Sequence, residues 1–156
     1  MRTDLLRGEL QAAGWKNVGP ARFMEWDFDL VGSRWFTFTK WNVLVKYIPI
    51  FSEANAAEWR GIFAAMNRAS KSIIWGKCFV LCIVAGQVAP EVLPTLQGDS
   101  FGLGGVLRLE GGGGRILITD VQNAAVHGTV PNLPLDVHRY TGKLKEILTK
   151  LVQPGA

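Results

Sequence analysis

The stretch CFVLCIVAG, residues 78–86, carries no charge and is apolar up to its closing glycine. A strand with one wet face alternates between apolar and polar residues. An unbroken run of this length reads instead as a strand covered on both faces. Two covering layers are then needed, and helices supply them in an α/β layer structure.

The flanking segments provide those helices. Ser52 is placed to cap a helix just after Pro49. Ala56, Trp59, Ile62, Phe63, Met66, Ala69 and Ile73 follow at helical spacing, which predicts a helix over 52–73 with a core-facing stripe. Thr3 is expected to cap a first helix carrying Leu5, Leu6, Leu10 and Ala13, with Gly14 at its end. Val137, Tyr140, Leu144, Ile147, Leu148 and Leu151 mark a last helix, stopped by Pro154 and Gly155.

Strand patterns lie between. Residues 23–31 roughly alternate, Gly32 and Ser33 suggest a turn, and 35–48 is rich in aromatic and β-branched residues. That second stretch is long for one strand, so a bulge or break is expected near Lys40. A helical turn is expected at PEVLPTL, within a loop over 86–105. GVLRLE and RILITDV flank GGGG as a hairpin with a flexible tip. A phosphate-cradling loop would lead from a strand into a helix; here a strand follows, and no Gly-Lys-Ser/Thr triplet occurs. HGTVPNLPLD reads as a connection. The expectation is one domain over residues 1–156, α/β or α+β, with a single central mixed sheet of about five strands flanked by helices.

Composition agrees with a packed domain. The chain has 156 residues, 48% hydrophobic and 19% charged, enough to bury a core. The net charge of +4 permits a polyanionic partner, but the basic residues are scattered as on a solvated surface. No apolar run reaches the roughly 18 residues of a membrane span. MRTDLLRGELQ lacks a signal-peptide core. A cytoplasmic, soluble protein without membrane contact is expected.

Several reactive side chains have plain readings. Cys78 and Cys82 would share one face of a strand about 13 Å apart, too far for a disulfide, and are expected as buried reduced thiols. A metal site there would need His127 and His138, which are distant in sequence. No Gly-x-Ser-x-Gly elbow is present. His127 is expected in a loop and His138 on the surface. Asp120, closing RILITD, either faces a pocket or caps the strand end.

FDLVG, then VLVKY, then a long helix and an apolar strand are arranged like the core of the restriction-endonuclease-like nuclease superfamily. The chain resembles that family over residues 3–85. The resemblance implies a helix, a three-stranded meander, a crossover helix and a further strand. It also implies a magnesium site built from an acid on the second core strand and an acid-x-lysine triplet on the third. Asp29 matches the first acid and Lys46 the lysine, while Leu44 stands where the second acid belongs. Residues two apart on a strand point the same way, so the missing acid removes half of a carboxylate pair that would hold a hard cation. Glu53 or Glu58 on the following helix could replace it, and Glu9 is placed like the first-helix Glu that some members use.

Three readings follow. The first is a catalytically inactive nuclease-like domain that binds a protein or, more weakly, nucleic acid. The second is a dimeric regulatory or assembly module resembling the roadblock and longin folds, whose sheets are antiparallel. The third is a magnesium-dependent nuclease using Asp29, Glu58 and Lys46, with Asp29 and Glu58 as metal ligands; only this reading requires a cofactor. A protein partner or a second copy is also expected because large groups occupy both parities of the 35–47 stretch: Phe36 and Phe38 on one, Trp41, Val43, Val45 and Tyr47 on the other.

Overall fold

A computed structural model of the chain describes residues 2–36, 39–70, 78–97, 114–128 and 136–153. In chain order the elements are α1 (Thr3–Ala12), β1 (Lys16–Phe23), β2 (Trp26–Phe36), β3 (Thr39–Phe51), α2 (Glu53–Ala69), β4 (Cys78–Val88), a 3-10 turn (Pro90–Val92), α3 (Leu93–Gln97), β5 (Gly114–Asp120), β6 (Ala125–His127) and α4 (Asp136–Val152). The described strands form one mixed sheet of six in the order β1-β2-β3-β4-β5-β6. Strands β1, β2 and β3 make an antiparallel meander. Strand β4 lies parallel to β3 and to β5, and β6 returns antiparallel.

The apolar run at 78–86 is explained by its place in the sheet. Phe79, Leu81, Ile83 and Ala85 face a core layer under α2, where Trp59 and Met66 are buried. Val80, Cys82 and Val84 face the other layer, beneath α1 and α4, with Leu6, Leu10, Leu144 and Leu148. Both faces of this central strand are dry, so no polar alternation is possible.

Helix α2 begins where the sequence places it. The Ser52 hydroxyl accepts from the Asn55 amide, and the Asn55 side chain reaches back to the Ser52 backbone, forming a capping box. Phe63 is partly buried and meets Phe79 edge-on at 5.8 Å. Ala69 is exposed and Ile73 lies outside the described residues. In α1, Thr3 is the first helical residue rather than the cap, Leu5 is exposed, and only Leu6 and Leu10 are buried.

Other expectations change. Gly32 and Ser33 sit inside β2, paired with Val43 and Asn42. Glycine serves close packing here: a Cβ at Gly32 would stand 3.1 Å from methyls of both Val18 and Val43. Strand β3 runs unbroken past Lys40 and through Pro49. Proline is tolerated because the β2–β3 ladder has already ended at Val45, so no β2 acceptor is left waiting for an N–H. Strands β1 and β6 were not expected, and Cys78 is only half-buried. GVLRLE and the first three glycines of GGGG lie outside the described residues, as does the His138 side chain. Trp41, Val43 and Val45 are buried beneath the chain's own α1 and α4. Phe38 and the side chain of Phe36, on the other parity, lie outside the described residues.

Candidate functional site

The site implied by the sequence is set by the way β2 leaves β3. The ladder is regular from Phe36↔Thr39 to Leu30↔Val45 and then stops. Phe28 faces the α2 layer and Leu30 the α1/α4 layer, although they are two apart on one strand. Such residues share a face on a regular strand, so β2 turns over at Asp29. The β1–β2 hairpin then curls across the α2-side face. Phe23 reaches Phe79 at 6.1 Å between ring centroids, and Phe28 reaches Trp59 at 6.1 Å.

Two side chains bridge the resulting splay. The Tyr47 amide donates to Asp29 Oδ2 at 2.7 Å, and Lys46 Nζ donates to the Asp27 carbonyl at 3.3 Å. Asp29 and Lys46 thus lie at the same divergence of strands. Both are half-buried, and both have a partner in the backbone.

The acids that would complete a metal site are placed differently. Leu44 is fully buried in the α2-side core. Glu53 and Glu58 are exposed on α2, Glu58 beside the buried Trp59, and Glu9 is half-buried on α1. Among the described residues, no three or more of His, Cys, Asp and Glu are grouped so as to hold a metal ion.

Asp120 caps the turn after β5. It is fully buried and accepts from the Asn123 amide at 3.2 Å and the Asn123 side chain at 2.7 Å. His127 lies in β6 rather than in a loop. Burial holds its imidazole below the ordinary value, the Lys145 charge acts in the same sense, and Asp120 opposes. Lys145 itself donates to the Gly128 carbonyl at 2.7 Å. The Cys82 thiol is pushed up to about 12 by burial. The Cys78 thiol is also raised by burial, against the pull of Arg115.

The sequence points to Asp29 and Lys46 but not to their backbone partners, because those partners exist only where the ladder ends. No protein-family model, curated protein or solved structure matches the chain.

Proposed function

We propose that this chain is a nuclease-like domain that has lost metal-dependent cleavage and acts by binding. One relationship carries the reading: β4 runs parallel to β3 directly after α2, while Leu44 is buried where the second acid would stand. A helix, a three-stranded meander, a crossover helix and a strand parallel to the meander's last member is the order the nuclease resemblance implies. The roadblock and longin alternative calls for an antiparallel sheet, and the two parallel pairs favour the first reading. Asp29 with its carboxylate on a backbone amide, and Glu58 out on the helix surface, support a binding role over a live nuclease.

The test is cleavage. Purified protein with Mg2+ or Mn2+ is expected to leave duplex DNA, single-stranded DNA and RNA intact. Reproducible cutting that Asp29→Ala abolishes would overturn the proposal.

A further inference from the structure

A cleft of ≈ 340 Å³ opens on β1–β3. Its wall includes Arg22 and Lys40 with Asn17, Ser33 and Asn42, and none of its lining residues is acidic. Asp27 holds Arg22 through Nε (3.1 Å) and Nη2 (3.3 Å), which orients the guanidinium and leaves the Nη1 hydrogens for a ligand. Among the described residues, Lys40 has no ion-pair partner. Asn42 is buried and fixed by its bond to the Cys78 carbonyl at 3.2 Å.

Trp35 stands beside this cleft. The β2–β3 register is unbroken from Leu30 to Phe36, so Val31, Ser33 and Trp35 share one face. Val31 and Ser33 line the cleft, and Trp35 is the cross-strand partner of Lys40. The indole is 65% exposed, the most exposed of the large apolar side chains described. An open aromatic face next to Lys40, with Arg22 further along the cleft and neutral hydrogen-bonding groups on its wall, matches a strand of alternating phosphates and bases. A base can stack on the ring while its phosphate meets Lys40, and a phosphate further along the strand meets Arg22. In a duplex the base faces are already stacked and cannot reach the indole.

We infer that the cleft bounded by Arg22, Lys40 and Trp35 binds single-stranded nucleic acid. The inference gives a ligand class to the binding role proposed above and rests on that reading only in taking the domain to bind without cutting. The cleft uses neither Asp29 nor Lys46.

The experiment is fluorescence anisotropy with a labelled oligothymidylate of about 12 nucleotides, a length within the usual range of single-strand sites, in EDTA at low salt. An oligouridylate and a hairpin duplex run alongside. Both single strands should bind more tightly than the duplex. Trp35→Ala should weaken binding about 10-fold or more. Lys40→Ala should also weaken it, and lower the slope of log K against log salt by about one. Both side chains are exposed, and thermal melts confirm that each variant folds. Absence of binding, preference for duplex, or parental affinity in both variants would overturn the inference while leaving the inactive-nuclease reading in place. Cleavage with Mg2+ would overturn that reading while leaving the ligand in place.

Discussion

The carboxylate of Asp29 lies 2.7 Å from the amide nitrogen of Tyr47 and takes the hydrogen bond that a β2 carbonyl would accept if the ladder continued. A side chain has replaced main chain at the point where two strands part. The Lys46 ammonium does the converse job one residue earlier, donating to the Asp27 carbonyl.

That relationship predicts graded effects at position 29. A hydrogen bond to a charged group contributes about 1.5–3 kcal/mol, and removing the acceptor leaves a partly buried amide unpaired. Asp29→Ala is expected to destabilise by roughly that much in denaturant melts. Asp29→Asn keeps a carbonyl oxygen and should lose less. Equal stability of all three proteins would show that the bond contributes nothing to the fold.

Leu44 offers a sharper contrast. Leu44→Asp places a carboxylate in the buried α2-side core, where the cation two residues along the same strand face, Lys46, is held at the Asp27 carbonyl. The variant should lose about 3 kcal/mol or more at neutral pH. The loss should shrink in acid as the carboxyl protonates, because the unfolded chain keeps the ordinary carboxylate value while burial raises the folded one. A stable Leu44→Asp protein would mean that this position opens to solvent.

Much of the layer structure was legible because burial leaves a pattern. The 78–86 run and the α2 stripe announce a doubly covered strand and an amphipathic helix. Strand β1 did not, since most of KNVGPARF is exposed and includes a glycine and a proline. It is a strand because β2 pairs with it, and Pro20 is tolerated at the sheet edge. Gly32 and Ser33 misled because a glycine needed for close approach looks the same in sequence as one needed for a turn. The binding face was also hidden: Trp35 looks like any strand aromatic until the register puts it beside Lys40.

The two thiols should react very differently. Cys82 is fully buried and pushed up to about 12, whereas Cys78 is half-buried. With an aromatic disulfide reagent near pH 8, Cys78 is expected to label slowly and Cys82 only on unfolding. Rapid native-state labelling of Cys82 would contradict its place between β4 and the α1/α4 layer.

His127 gives a pH signature. Its folded value is lowered below 6.5 by burial, so the unfolded chain binds the proton first as pH falls. Stability relative to a His127→Gln variant is therefore unaffected well above 6.5, declines as pH drops through that value, and levels off below the folded one. An imidazole NMR midpoint above 6.5 would reverse the sign and contradict the environment described.

Mn2+ titration followed by amide NMR reads directly whether a cation sits where β2 parts from β3. Paramagnetic Mn2+ broadens signals near wherever it binds. With Asp29 committed to the Tyr47 amide and Leu44 buried in the α2-side core, stoichiometric Mn2+ is expected to leave residues 27–30 and 44–47 unbroadened. Selective broadening of the Asp29 and Tyr47 amides, removed by Asp29→Asn, would place a cation at the β2–β3 divergence and overturn the loss of the metal site.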